Sequence, residues 1–302
     1  ISLAIFTLSL VLFLAGNNFH ALWDRDEPRY AVATREMVQT GDWIIPHFNG
    51  EVRYDKPVLI YWLMSVPMRI LGMNEFGARF PSTVMGAFRV VLIFLFALRI
   101  GAEKKGALLA AAIAGLSVLL LLISKAATTD STLVLTVLGA MFLFWEQQRL
   151  GFGWWRHLLF FAVIALSALV KGPVGPAIIA MGILLYRFWN WLEARRGREE
   201  APSGQSFGTW LMRFAVGVVV FSIVGLPWAI AAWIRTDGEF LLHSFQRHVV
   251  HRATEPMEGH SGAIFYYFPV ALVALLPYTA IGLNAGRWSA SKLRRPIVRF
   301  LW

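Results

Sequence analysis

Cysteine is absent from all 302 residues, which excludes disulfides and thiolate metal sites and leaves the redox compartment unmarked. Charge is scarce: Asp, Glu, Lys and Arg make up 15 % of the chain, against 57 % hydrophobic residues. Neither GxGxxG nor GxxxxGK[ST] occurs, which argues against a nucleotide cofactor, a nucleotide donor or ATP drive. There is no HExxH and no pair of ligands at zinc spacing. No internal repeat of about 20 to 50 residues is visible, and RRGREEAPSGQSFG is the only hint of low complexity. The opening ISLAIFTLSLVLFLAG lacks a preceding basic region and a following small-residue cleavage site, so it reads as a membrane span whose start is cut off rather than a signal peptide.

What the chain has instead is repeated apolar runs and a mean hydropathy of +0.59. Runs of about 17 to 25 residues can each cross a ~30 Å hydrocarbon core as a helix, so an all-α polytopic membrane protein is expected. A net charge of +10 would point to nucleic acid in a soluble domain, but in a membrane protein the placement of charge matters more than its sum, and no nucleic-acid partner is expected. Eight apolar segments stand out, near 1–18, 80–98, 107–124, 131–148, 157–170, 173–192, 211–234 and 263–285. Between the first two lies a long polar stretch, 19–79. Within it EPRYAVATREMVQ clusters Tyr30, Ala33, Met37 and Val38 near one helical face, with Pro28 suited to the first turn and Gly41 to the end. The turn-rich PHFNGEVRYDKP follows, then amphipathic VLIYWLMSVPMRILG, and the two amphipathic segments read as a membrane-surface helix pair.

Numbering the connections alternately sorts the charges. One side receives 99–106, 149–156, 193–210 and the tail after 286, where Arg and Lys far outnumber acids; the other side is close to neutral. The basic side is read as cytoplasmic. DRDEPRY, YDKP, TTD, KGP and QRHVVHR…EGH then all fall on the outward side, so four loops distant in sequence converge on one face.

Those loops hold the residues that can carry chemistry. Asp26 and Glu27 lie at the membrane interface, where a carboxylate is costly to desolvate and is suited to act as a general base, although an acidic pair also suits the dipole of a following helix. Asp130 opens a span, where it serves either as a cap or as a second acid beside Lys125, Thr128 and Thr129. Asp55-Lys56-Pro57 sets a carboxylate, suited to a metal or a sugar hydroxyl, beside a cation suited to phosphate. Lys171 in KGP is a second such cation, or merely snorkels. In HSFQRHVVHR, His248 and Arg252 share a helical face, and an arginine clamp on phosphate is favoured over metal binding. The tryptophans at span ends read first as interfacial belts, with Trp228 also able to stack on a sugar.

Taken in order, DEPRYA, REMVQTGDWIIPHFNGEVRYDKPVLIYW, FGARFPS, TTDSTL, KGPVGP and HVVHR…GHSGAIFYYFP resemble the lipid-carrier-dependent glycosyltransferases of GT-C fold. That group includes the aminoarabinose transferase of lipid A and the protein O-mannosyltransferases. The resemblance implies a single transmembrane GT-C domain over 1–302, here a fragment, in a bacterial-type inner membrane with its active site on the periplasmic side. It implies inverting transfer of a sugar from a polyprenyl-phosphate donor to a lipid, glycan or protein acceptor. Carried over, Asp26 matches the base or acceptor-orienting acid, with Glu27 beside it, and Asp130 matches the second acid. Lys56, Lys171 and Arg252 match the positions that hold the donor phosphate. Asp55 and His248 fall where the aminoarabinose transferases place a metal-linked Glu and His, so a divalent metal ion is the one cofactor implied; Asp is one methylene shorter than that Glu. The competing expectation is a secondary transporter or lipid flippase with an outward-facing ionisable cavity.

Overall fold

The computed structural model describes residues 1–23, 26–196, 206–246, 267–292 and 295–301. It is helical apart from one hairpin. The helices are α1 (Ser2–Leu14), α2 (Asp26–Thr40), α3 (Leu59–Leu71), α4 (Glu75–Arg99), α5 (Lys104–Leu116), α6 (Val118–Lys125), α7 (Asp130–Leu150), α8 (Trp154–Lys171), α9 (Val174–Arg195), α10 (Phe207–Arg235), α11 (Glu239–Phe245), α12 (Tyr267–Ala274), α13 (Thr279–Ala290) and α14 (Pro296–Leu301). Strands β1 (His47–Phe48) and β2 (Glu51–Val52) pair antiparallel across Asn49-Gly50. Both turn residues have positive φ, the conformation a two-residue hairpin needs and Asn-Gly tolerates best.

Among the described residues α4, α8 and α10 are each long and apolar enough to cross a membrane, and α5 with α6 makes a fourth candidate, bent by 60°. The segment expected at 107–124 is therefore not a straight span. It breaks at Ser117, beside Gly115, a small-residue step that weakens the helical ladder. The freed N–H of Val118 donates to the carbonyl of Leu276 at 3.0 Å, so a distant segment satisfies the break. The segment expected at 263–285 is likewise divided where it is described, between Ala274 and Thr279. Pro277 offers no N–H and disfavours helix in the residue before it. The short segment 157–170 proves to lie inside the 18-residue α8.

Helix α4 is central, packing on α1, α3, α5, α6 and α7. Arg89, inside it, is fully buried and donates from Nη2 to the Leu120 carbonyl at 2.9 Å and to Ser124 Oγ at 3.0 Å, bridging α4 to α6. Large apolar side chains on the outer helix faces, such as Leu3, Leu184 and Ile223, are more than half exposed, as expected where the solvent is lipid. Helices α2 and α3 pack together over the ends of this bundle and bury Tyr30, Met37, Tyr61, Met64 and Met68 between them. Trp62 and Trp228 donate their indole N–H groups to the carbonyls of Trp43 and Ile44, at 2.8 and 2.9 Å, and so fasten the loop after α2 to α3 and α10.

Candidate active site

The chemistry gathers at the face where α7 begins and α8 ends. Its foundation is an ion pair out of contact with solvent. Arg79, in the second turn of α4, grips Glu27 with two parallel bonds, Nε to Oε1 at 3.0 Å and Nη2 to Oε2 at 2.8 Å, and the two side chains are 3 % and 1 % exposed. The guanidinium's other N–H groups go to the carbonyls of Asn17, His20 and Ala21. Glu27 also accepts from the backbone N–H groups of Trp23 at 2.9 Å and Ala127 at 2.5 Å. Both carboxylate oxygens are thereby occupied, and three segments distant in sequence are locked together. Lys125 adds to the lock by donating to the carbonyls of Phe13 and Ala15 at the end of α1.

One residue before this lock, Asp26 opens α2 with its side chain 56 % exposed and Arg29 Nη1 3.7 Å away. Behind it Tyr30 and Tyr61 lie with ring centroids 5.9 Å apart. The Arg53 guanidinium sits 5.1 Å from the Tyr30 centroid, donates from Nε to the Tyr61 hydroxyl at 3.0 Å, and comes within 3.3 Å of Asp55 Oδ2. Burial drives the Tyr30 phenol far above its ordinary range and, against the opposing pull of Arg53, pushes Tyr61 up to about 12. Burial works against the charge on Arg53, but Tyr61 and Asp55 outweigh it and raise that group. Both phenols are thus neutral at neutral pH.

On the far side of the α6–α7 turn, Asp130 is the first residue of α7 and Lys171 the last of α8. They lie 41 positions apart in the chain, yet Lys171 Nζ donates to Asp130 Oδ1 at 2.6 Å. Gly172, with φ of +62°, ends α8 there. Lys171, Lys56 and Asp55 line a cavity of about 390 Å³ whose other walls are largely apolar, with Leu169, Phe221, Leu226, Trp228 and Phe240 among them.

A sequence profile of the dolichyl-phosphate-mannose-protein mannosyltransferase family matches residues 1–252. The chain belongs to that family. An undecaprenyl phosphate-alpha-4-amino-4-deoxy-L-arabinose arabinosyl transferase of Aeromonas hydrophila is 30 % identical to it over 291 residues, 94 % of this chain and 50 % of the relative. The protein of the same name from Pectobacterium carotovorum is 30 % identical over 304 residues, 99 % of this chain and 52 % of the relative. The crystal structure of ArnT from Cupriavidus metallidurans bound to undecaprenyl phosphate matches with a TM-score of 0.77 at 24 % identity, covering 99 % of this chain and 52 % of that one. The fold is therefore the GT-C membrane bundle, as the ordered motifs led one to expect, and the protein is a multi-pass membrane protein. The chain spans about half the length of the curated relatives it matches.

Within this family frame, the structure brings Asp26, Asp55, Lys56, Asp130 and Lys171 to one face and turns Glu27 into the lock beneath it. His248 and Arg252 lie outside the described residues. Among the described residues no three His, Asp or Glu side chains are grouped as an ion would require. Asp55 lies 3.3 Å from the Arg53 guanidinium; the other residue of the expected metal pair, His248, lies outside the described residues, and no step is routed through a metal. Sequence reasoning missed Arg53, Tyr30 and Tyr61 as site residues. The signal available was Arg53 two positions before Asp55, and tyrosines in the two amphipathic helices at positions that face each other.

Proposed function

We propose that the protein is an inverting membrane glycosyltransferase that moves a sugar from a polyprenyl-phosphate donor to an acceptor at the outer face of a bacterial inner membrane. The observation that carries this reading is a cavity of about 390 Å³ that is lined by Lys56 and Lys171 and otherwise mainly by apolar side chains. A lipid phosphate has that shape: an anionic head on a long hydrocarbon. Family membership and relatives named for an undecaprenyl-phosphate-linked aminoarabinose support a pentosyl donor of that class and a lipid acceptor. The excess of Arg and Lys on the opposite face supports the outward orientation.

In this reading Asp26 removes the proton from the acceptor. The acceptor atom attacks the anomeric carbon from the face opposite the donor oxygen, the carbon–oxygen bond to phosphate breaks, and its electron pair leaves on the lipid phosphate. Lys56 and Lys171 stabilise that charge as it grows, each contributing about 2–4 kcal/mol, and Arg252 is proposed to join them. Asp130 holds Lys171 in place until the phosphate competes for it. Asp55, held by Arg53, receives a sugar hydroxyl. Glu27 is assigned to positioning rather than to proton transfer, because both its oxygens are engaged by Arg79 and backbone N–H groups. The transporter or flippase reading is not favoured: its ligand would leave unchanged, and the site's ionisable groups gather at one face rather than at the bilayer midplane.

The test uses the protein in its native membranes with labelled undecaprenyl-phosphate sugars, following loss of sugar from the carrier. Asp26→Asn should lower turnover by about 10²–10⁴-fold while the protein remains folded. Unchanged turnover in the variant would reduce Asp26 to a helix-start residue, and a ligand recovered on the other side of the membrane without bond cleavage would favour transport.

A further inference from the structure

A second cavity, of about 300 Å³, lies at the opposite face, where α7 and α9 end and α8 and α10 begin. Its lining differs in kind from the first. Arg187 of α9 and Arg213 of α10 enter it together with Gln147 and Gln148 of α7, and aromatic side chains complete the wall. Among the described residues no carboxylate lines it. Other arginines at this face are neutralised locally: Arg149 by Glu146 at 3.1 Å and Arg196 by Glu193 at 3.0 Å. Arg187 and Arg213 have no such partner among the described residues.

The arginines are held ready rather than satisfied. The Arg213 guanidinium lies 3.6 Å from the centroid of the Phe152 ring, which fixes its plane. Its Nε is out of solvent and has no hydrogen-bond partner among the described residues. His157 Nε2 donates to the Arg213 backbone carbonyl at 2.8 Å, pinning the base of the side chain to α8. Arg187 stands 5.9 Å from the Phe144 ring and is otherwise exposed. On the lipid side, Trp210 and Phe214 stack with centroids 5.5 Å apart, both about half exposed, at the depth where aromatic residues meet headgroups. Two guanidiniums with no acidic partner among the described residues, beside a membrane surface, call for a multi-oxygen anion, and a guanidinium fork matches two oxygens of a phosphate.

We propose that this cavity binds the phosphodiester headgroup of an anionic glycerophospholipid from the adjoining leaflet. Arg187 and Arg213 grip the phosphate, the Gln147 and Gln148 amides take headgroup hydroxyls, and the acyl chains run out past Trp210 and Phe214. The proposal stands apart from the transferase reading, since it rests on no residue of the first cavity.

Native mass spectrometry of the whole protein, delipidated in a neutral detergent, gives the test, with phosphatidylglycerol, phosphatidylcholine and inorganic phosphate as separate ligands. Phosphatidylglycerol should bind on the order of tenfold more tightly than phosphatidylcholine. Arg187→Gln with Arg213→Gln should erase that preference, whereas Arg195→Gln, which removes a cation stacked on Trp191 outside the cavity, should leave it. If the double variant does not fold, Arg187→Gln alone, at an exposed side chain, should still lose several-fold. An equal loss in Arg195→Gln would reduce the effect to general surface charge and overturn the site. Equal binding of the two lipids, as would follow if a carboxylate of the chain itself neutralised the arginines, also overturns it. Inorganic phosphate displacing phosphatidylglycerol at equal concentration would keep the phosphate chemistry but overturn the lipid as its source.

Discussion

At the scale of single residues, Glu27 and Asp26 show how neighbours in sequence part company in space. Asp26 is exposed and accessible; Glu27 is 1 % exposed with four hydrogen bonds on its two oxygens. Replacing Glu27 by Ala would strand the Arg79 charge and two backbone N–H groups, and breaking a buried pair from one side costs about 3–5 kcal/mol. Glu27→Ala should therefore unfold at distinctly lower temperature than the parent, with Asp26→Asn close to the parent, as read by thermal scanning in detergent. A Glu27→Ala protein as stable as the parent would mean that the pair does not hold the loop. The sequence could nominate Asp26, Asp130, Lys56 and Lys171 because charge at a membrane edge is costly and conspicuous. It could not show that Glu27 faces inward, because its partner Arg79 is 52 positions away. Arg53 is inconspicuous for a related reason: in a polar loop an arginine is ordinary until its stacking partner Tyr30 is known.

At the scale of elements, the helix pattern was more legible than the path of the helices. The amphipathic segment expected over 27–39 appears as α2 over Asp26–Thr40, and that expected over 131–148 as α7 over Asp130–Leu150. Hydropathy counts length but is blind to direction, so it carries no sign of the 60° bend at Ser117. Close approach of helices was equally hidden, and Gly175 makes it testable. A Cβ there would meet Ser167 Cβ and Oγ at 2.6 Å and the Ser167 carbonyl at 3.1 Å, with no flexible side-chain end to yield. Gly175→Ala should force α9 from α8, whose last residue is Lys171, and cost about 1–3 kcal/mol. Donor KM should rise as Lys171 shifts. Adding Ser167→Gly should restore both stability and KM; a Gly175→Ala protein already equal to the parent in both would show that this contact does not set the α8–α9 turn.

At the scale of the whole molecule, the two faces differ in charge, and the proposed orientation, which assigns a leaflet to each cavity, rests on that difference. Arg and Lys crowd the face where α7 and α9 end, and basic residues in short loops are retained on the cytoplasmic side. In the orientation proposed above, the face of Asp26, Lys56 and Lys171 looks outward and the Arg187–Arg213 cavity inward. The absence of cysteine makes this directly measurable, since any thiol added is the only one in the chain. Glu51, in the hairpin, and Glu103, between α4 and α5, are both exposed and lie on opposite faces. Acidic residues contribute little to orientation, so replacing either with cysteine should report the topology without altering it. A membrane-impermeant maleimide applied to intact cells with a permeable outer membrane should label Glu51→Cys at once and Glu103→Cys only after the inner membrane is opened. The reverse pattern would place the candidate active site in the cytoplasm, where a donor carried in the outer leaflet could not reach it, and would overturn the proposed function while leaving the fold untouched.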